Sequence, residues 1–405
     1  MKSHSLLLNR YYEEDVFFCF LLSTGRNGSV LLQSLLDGSE NISMIPQLYL
    51  MEDQIHWQEV TSKNYEEALD QFIDFNRDFF LVAGHPWLKL DRLDGENSPP
   101  LFFSKSEFKA HALKYLSSIH QINGQELYIA IHLAYDALLG RSHNKNVLFH
   151  HIHLVAKMDE YWDFLTSFGV PIKFISMARA PGPSVTSYFT NWSTYYRYTN
   201  IEYFYSQIMR YVIDIEQIRA RAAPDHQIFA IKLDELHKAP AAVLGHLLTA
   251  LKTDYDPSIH LESTLYSKAW YGDAISAGPV SGFNPAIDTN KSWEAFFWRK
   301  DIKFLNFCMH QYQHDYRYPK SPNTYGLLWF FLSLITPLKI EVGFISGELP
   351  KAKEYLPKST LRRIAMVSIF GLRFRLTVIK ALVKRPSNLS AIEVIGTEPA
   401  SYLDG

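Results

Sequence analysis

The sequence predicts an α/β fold in which a central parallel sheet is flanked by helices. Short apolar runs bounded by turn residues alternate with helical patterns along most of the chain, which is typical of such a sheet. Several polar residues directly follow these runs, and parallel sheets bind their ligands at the carboxyl ends of their strands. A mostly helical insertion at about 47–145 and an extension at 321–405 complete the predicted organisation.

The first strand–helix unit runs from Val16 to Gly38. Its run VFFCFLL, residues 16–22, is continuously apolar and bounded by a turn, as a buried strand is. A helical pattern begins at Ser29 and ends near Gly38. The connecting turn, STGRNGS, therefore lies where the free N–H groups and the positive dipole end of a helix favour an anion.

The residues of this turn suit a small anion better than a nucleoside triphosphate. Gly25 and Gly28 let the backbone approach a ligand closely. Arg26 adds a positive charge and Ser29 adds a hydroxyl donor. The triphosphate loop G-x-x-x-x-G-K-[ST] needs a Lys that is missing here, so a triphosphate with magnesium is disfavoured. The alternative is a strand-to-helix connection that binds nothing.

A second candidate anion site follows a later strand. The further predicted elements are strands at 146–154, at 171–179 and from Gln227, and helices at 158–169 and 239–251. Arg179 ends one of these strands, and Pro183 suits the first position of the next helix. Ser187 falls in the early part of that helix, so Arg179 and Ser187 can together bind a second phosphate. The alternative is that both side chains are simply solvated.

Three histidines occupy the strand-like segment FHHIHL, residues 149–154. Because side chains alternate along a strand, His151 and His153 share one face and His150 lies on the other. Histidine is the side chain that accepts protons near neutral pH, so this segment is a candidate for a general base. A metal site is an alternative, although no third ligand is evident nearby.

Composition and charge disfavour several classes of protein. The 405 residues are 47% hydrophobic and 20% charged, with a formal net charge of −2, so we expect a globular protein that does not bind nucleic acid. Its two cysteines are too few for a disulfide framework. We find no signal peptide and no run of 18 apolar residues, and therefore expect a cytoplasmic protein.

The extension differs in composition from the rest of the chain. The stretch from Thr360 to Arg385 has seven basic residues and no acidic one. A basic amphipathic segment can lie on an anionic membrane, so we expect peripheral contact through 321–385 at the cytoplasmic face of a membrane. The equal alternative is a helical extension packed on the main domain. Its sequence RFRLTV alternates as a strand would.

Two of these segments resemble the donor-binding motifs of sulfotransferases that use 3′-phosphoadenosine 5′-phosphosulfate (PAPS). STGRNGSVLLQSLLD is similar to the motif that holds the 5′-phosphosulfate in that family. ARAPGPSVTSYF is similar to the second motif, in which an Arg and a Ser eight residues later hold the 3′-phosphate. The resemblance covers roughly residues 14–320 and implies a three-layer α/β/α sulfotransferase domain, related to the P-loop fold, at 1–320. The implied donor-binding residues are Gly25, Arg26, Asn27, Gly28, Ser29, Val30, Arg179 and Ser187.

The same resemblance implies a catalytic base and no metal. In cytosolic members a strand of the form Lys-Thr-His-Leu carries the base, and HIHL occupies that place here. His153 is thereby implied as the base and Arg26 as the cation at the leaving group, with His151 or an acidic residue of 47–145 as alternative bases. Val30 departs from the family, because many members have a second Thr at that position.

We therefore predict transfer of a sulfuryl group from PAPS to an acceptor hydroxyl. The aromatic residues of the insertion favour a saccharide or a lipid-linked glycan as the acceptor. These residues are Trp57, Phe79, Phe80, Trp87, Phe102 and Phe103. The alternatives are a P-loop kinase-type phosphotransferase and a non-catalytic, membrane-associated binding protein.

Overall fold

A computed structural model describes most of the predicted core of the chain. The described residues are 16–23, 27–46, 64–76, 80, 103–116, 124–142, 145–152, 172–192, 201–214, 216, 219–220, 222, 226–272, 282–285, 287, 297–318, 327–347, 357–383 and 389–396. The strands in them are β1 Phe17–Ser23, β2 Ile42–Met44, β3 Val147–Ile152, β4 Ile172–Ala178, β5 Gln227–Lys232, β6 Thr264–Leu265, β7 Lys268–Ala269 and β8 Ile392–Ile395.

Helices occupy most of the remaining described residues. Those before β5 are α1 Ser29–Leu36, α2 Tyr65–Phe75, α3 Lys105–Leu116, α4 Gly124–Leu138, α5 Pro181–Trp192 and α6 Ile201–Met209, which continues into a π-helical turn, Arg210–Asp214. Those after β5 are α7 Leu233–Lys238, α8 Pro240–Ala250, α9 Pro257–His260, α10 Arg299–Cys308, α11 His310–Asp315, α12 Leu327–Ile335, α13 Lys339–Ser346 and α14 Thr360–Val383.

The predicted parallel sheet is confirmed. Its six strands have the order β2-β3-β1-β4-β5-β8, and every pairing between them is parallel. Leu22 of β1 lies beside Ile152 of β3, and Ser23 lies beside Met177 of β4. The carboxyl ends of β3, β1 and β4 therefore lie side by side at one edge of the sheet.

Helices cover both faces of the sheet, as predicted for a three-layer fold. Phe18 and Phe20 of β1 share a buried cluster with residues of α2, α3 and α4. Cys19 and Leu21 face the opposite way and pack with Leu32 of α1 and with residues of α8. Alternation along β1 thus buries the strand on both sides, which is why its sequence is continuously apolar.

The described parts of the insertion include the helices α2, α3 and α4, but two of its aromatic residues do not have the predicted role. Phe80 lies edge-on to Phe108 of α3, with ring centroids 5.2 Å apart, and is buried. Phe103 is also buried, with its ring 6.0 Å from that of Tyr135. Both side chains are part of the core and are not available to stack on a saccharide. Trp57, Phe79, Trp87 and Phe102 lie outside the described residues.

The described parts of the extension pack on the main domain. β8 adds a strand to the sheet by pairing with β5, with Ile392 beside Ile228. The segment RFRLTV forms part of α14 and not a strand. Among the seven basic residues of this stretch, Arg375 is buried, and its guanidinium is 2.7 Å from the Glu341 carboxylate. None of the helices in the described residues combines the length and the apolar character needed to cross a membrane.

Candidate active site

The turn after β1 ends in a helix start that is open to an anion. Gly28 is the N-cap of α1 and has φ +88°, the left-handed conformation that glycine adopts without steric cost. No side chain among the described residues caps this helix start. The first N–H groups of α1 and the positive end of its dipole therefore face the turn, as the sequence predicted.

Buried polar side chains link Ser23, Asn27 and Ser29 to one another and to β4. The Ser29 hydroxyl donates to Ser23 Oγ at 3.2 Å, and the Ser23 hydroxyl donates to Asn27 Oδ1 at 3.1 Å. The Asn27 amide then donates to the Met177 carbonyl at 2.6 Å. The Asn27 side chain is thus directed at β4. Ser23 was not among the predicted site residues, although a polar residue that ends an apolar strand is a signal for it.

Leu233, the first residue after β5, packs against Gly28. A Cβ atom built on Gly28 would lie 2.3 Å from Leu233 Cδ1, far inside van der Waals contact. Gly28 is thus required twice, by its left-handed backbone and by this close approach of a buried side chain. The second requirement depends on a residue more than 200 positions away in the sequence.

Gly28→Ala is expected to weaken binding of 3′-phosphoadenosine 5′-phosphate by about tenfold or more, the scale of one lost hydrogen bond to a charged group. Gly140→Ala is the matched control, because Gly140 also has positive φ (+66°) but a Cβ there meets nothing within 4 Å. Left-handed strain should cost each variant about 1–2 kcal/mol of unfolding free energy, and Gly28→Ala should lose more because its Cβ also collides with Leu233. Calorimetric titration measures the affinity. Equal affinities in the two variants would contradict a role for the Gly28 turn in binding.

The second candidate anion site lies at the end of the neighbouring strand. Arg179 directly follows β4 and is buried. Its backbone N–H donates to the Tyr312 hydroxyl at 3.2 Å, and that hydroxyl donates to the Arg179 carbonyl at 3.3 Å. Tyr312 of α11 therefore fixes the backbone that carries the guanidinium. No sequence signal links Tyr312 to this role.

Helix α5 begins immediately after Arg179, at Pro181 and not at the predicted Pro183. Ser187 is fully buried in its second turn. Ser184 lies one turn nearer to Arg179, and its buried hydroxyl has no hydrogen-bond partner among the described residues. Buried hydroxyls are normally paired, so an unpaired one in the first turn of this helix is a feature that a bound anion would explain.

The histidines of β3 have different environments. The His150 ring packs edge-on to Phe20 and Tyr128, with ring centroids 6.0 and 5.9 Å away. Burial lowers the pKa of His150 to about 3, so this side chain is a neutral core residue. His151 is buried on the opposite face of β3. His153 lies outside the described residues, which reach Ile152 on this strand.

The structure brings part of the predicted donor site together. Asn27, Gly28 and Ser29 lie at the start of α1, next to the strand that leads to Arg179 and Ser187. Gly25 and Arg26 lie outside the described residues. Val30 packs against the core cluster that includes Phe20, so its side chain has a packing role at the position where many PAPS-dependent sulfotransferases have a hydroxyl. Within the described residues, no group of three or more His, Cys, Asp or Glu is placed to hold a metal ion.

Comparisons with known proteins found similar chains only among solved structures. No family model and no curated protein sequence matches the chain. One similar solved structure is the sulfotransferase domain from the Synechococcus PCC 7002 olefin synthase, with which the chain shares 15% sequence identity. The match covers 75% of this chain and 94% of that chain, and its TM-score is 0.42. It is also similar to the sulfotransferase domain from the curacin biosynthetic pathway, with 12% identity, coverage of 78% and 96%, and a TM-score of 0.35. Similarity at this level carries no argument about the reaction, which depends on the site itself.

Proposed function

We propose that the chain is an enzyme that transfers a sulfuryl group from PAPS to an acceptor hydroxyl. One observation supports this most strongly: helices α1 and α5 start from the neighbouring parallel strands β1 and β4, each beside residues suited to an anion. A donor with a phosphosulfate at one end and a 3′-phosphate at the other needs two such places. The absence of the Lys of the triphosphate loop argues against a kinase.

The residues present fit this donor. Arg26 and the N–H groups that begin with Gly28 and Ser29 would hold the 5′-phosphosulfate. Arg179 and Ser187 would hold the 3′-phosphate through charge-assisted hydrogen bonds. The donor supplies the activated sulfuryl group, and the chain needs no metal for this step in the proposal because Arg26 and the α1 amides provide positive charge.

The proposed catalytic work of the chain is positioning and stabilisation of negative charge. The Ser29–Ser23–Asn27 hydrogen bonds fix Asn27 and Ser29 before a ligand arrives. Preorganised donors of this kind stabilise charge that develops on the leaving oxygen, and they require no rearrangement during the reaction. A ring nitrogen of His153 would take the proton from the acceptor hydroxyl.

We propose a saccharide or lipid-linked glycan as the first class of acceptor to test. Phe80 and Phe103 are core residues, so the proposal rests on the other four aromatic residues of the insertion. These are Trp57, Phe79, Trp87 and Phe102, which lie outside the described residues. Transfer of labelled sulfate from PAPS to a panel of glycans, glycolipids, phenols and aliphatic alcohols tests it. Transfer to the phenols or alcohols alone would replace the glycan proposal, whereas no transfer together with no donor binding would contradict the proposed function.

His153→Ala is expected to lower the transfer rate by about 100-fold or more and to remove the rise of the rate with pH through the histidine range. The pH profile needs a parallel measurement of the folded fraction, because burial lowers the pKa values of His132 and His150 to about 3. The unfolded chain binds these protons near pH 6.5, so stability is lost as the pH falls from about 6.5 towards 3. A variant with the wild-type profile would show that the base is another residue.

A further inference from the structure

Helix α14 has a second face that is exposed among the described residues. Its inner face includes Val367, Gly371, Phe374 and Val378, which are buried. Phe374 stacks on Tyr205 of α6, with ring centroids 4.7 Å apart. These contacts fix which side of the helix is turned outward.

The outward face carries large apolar side chains in a single row. Their exposed fractions are 78% for Leu361, 64% for Ile369, 60% for Leu372, 57% for Leu376 and 78% for Val383. At 3.6 residues per turn these five positions lie within about 80° of one another, so they form one stripe along the helix. We refer to these five residues as the apolar stripe. Water-exposed helix faces are normally polar, so a stripe of this length indicates a partner.

Three exposed basic residues border the apolar stripe on one side. They are Arg362, Arg373 and Lys380, whose spacings of 11 and 7 residues place them in a row parallel to it. The helix has no acidic residue. Two other basic residues are not part of this row. Arg375 is paired with Glu341 at 2.7 Å, and the Arg363 guanidinium donates to the Ile345 carbonyl at 2.9 Å.

The charge of this surface indicates what binds to it. An apolar stripe beside a row of cations matches the edge of a bilayer with anionic lipids, where side chains enter the acyl boundary and cations contact the headgroups. A second copy of this helix would bring more cations to the same surface and no carboxylate. We propose that the apolar stripe and its basic border bind an anionic membrane surface, with α14 parallel to the plane of the bilayer. This proposal is independent of the reaction that the enzyme performs.

Co-sedimentation of the full chain with vesicles tests the proposal. We expect binding to vesicles of phosphatidylcholine with phosphatidylglycerol, weaker binding at higher salt, and little binding to phosphatidylcholine alone. The variant Arg362→Gln/Arg373→Gln/Lys380→Gln should bind about 100-fold more weakly, since each cation at the surface contributes about fivefold. The matched control changes three exposed basic residues elsewhere, Lys105→Gln/Lys252→Gln/Arg299→Gln, and should bind as the wild type does.

The apolar part is tested with Leu372→Ser/Leu376→Ser, which should weaken vesicle binding by about tenfold or more at unchanged thermal stability. Two results would overturn the proposal. One is that wild type and the triple basic variant sediment equally with the anionic vesicles. The other is that sedimentation equilibrium shows a dimer that the Leu372→Ser/Leu376→Ser variant loses, while the wild type binds no vesicles.

Discussion

Arg26→Ala is expected to lower the rate of sulfuryl transfer by about 100-fold or more, the scale of losing one donor to developing negative charge. Arg26 itself is outside the described residues, but the residue after it is fixed. Asn27 is fully buried and donates to the Met177 carbonyl at 2.6 Å, so Asn27 is held beside the end of β4. In the proposed function, Arg26 and the α1 amides together stabilise the charge on the leaving oxygen.

Single-turnover kinetics with PAPS and an identified acceptor measure this effect. Arg299→Ala is the control, because Arg299 is an exposed Arg at the start of α10 and its removal changes the net charge equally. The control should keep the wild-type rate. An Arg26→Ala enzyme with unchanged kinetics would remove the turn after β1 from the mechanism.

Arg375→Met is expected to lower the free energy of unfolding by about 3–5 kcal/mol, the usual cost of removing one partner from a buried ion pair. Arg375 holds both carboxylate oxygens of Glu341, at 2.7 and 2.8 Å. It also donates to the Thr336 carbonyl at 3.1 Å. The tyrosine hydroxyl of Tyr205 donates to the same carboxylate. The Arg375–Glu341 ion pair therefore links α6, α13 and α14 with Thr336, which follows α12. Removing the Arg375 guanidinium leaves the Glu341 carboxylate buried without its cation.

Arg373→Met is the matched control, because Arg373 lies two residues away on the same helix and is exposed. Its effect on stability should stay within about 0.5 kcal/mol. The double variant Glu341→Leu/Arg375→Met should recover much of the loss, since no carboxylate then remains buried without its cation. Urea unfolding measures all three variants. Similar stabilities for Arg375→Met and Arg373→Met would show that the buried pair does not hold the extension in place.

The sheet could be predicted because its central strands are apolar on both faces. The runs at β1, β4 and β5 stand out in the sequence for that reason, and in each case the next element along the chain is or includes a helix. The strands β2 and β8 were not predicted. They have three and four residues, lie at the two edges of the sheet, and owe their existence to pairing with β3 and β5. Strand formation at an edge depends on those neighbours more than on local sequence.

In the candidate site, too, residues within one short segment could be predicted, whereas contacts between distant segments could not. Gly28, Ser29, Arg179 and Ser187 could be named because their spacing within one turn or helix start carries the signal. The contact of Leu233 with Gly28 depends on two parts of the chain meeting only in the fold. The same holds for the Tyr312 contact that fixes the Arg179 backbone.

The extension was the least predictable part, because charge alone does not distinguish a surface cation from a buried one. Arg373 and Arg375 look alike in the sequence, but one is exposed and the other pairs with Glu341 of a neighbouring helix. The predicted membrane contact stays a proposal. Its basis has changed from a count of basic residues to an apolar stripe with three exposed cations beside it.

Calorimetric titration of the wild-type chain with 3′-phosphoadenosine 5′-phosphate, in the absence of divalent metal, tests the central claim most directly. The proposed site predicts saturable one-to-one binding. It also predicts that adenosine 5′-phosphate, which lacks the group assigned to Arg179 and Ser187, binds about tenfold or more weakly. Binding of ATP with magnesium, and no binding of 3′-phosphoadenosine 5′-phosphate, would contradict the claim and favour a phosphotransferase.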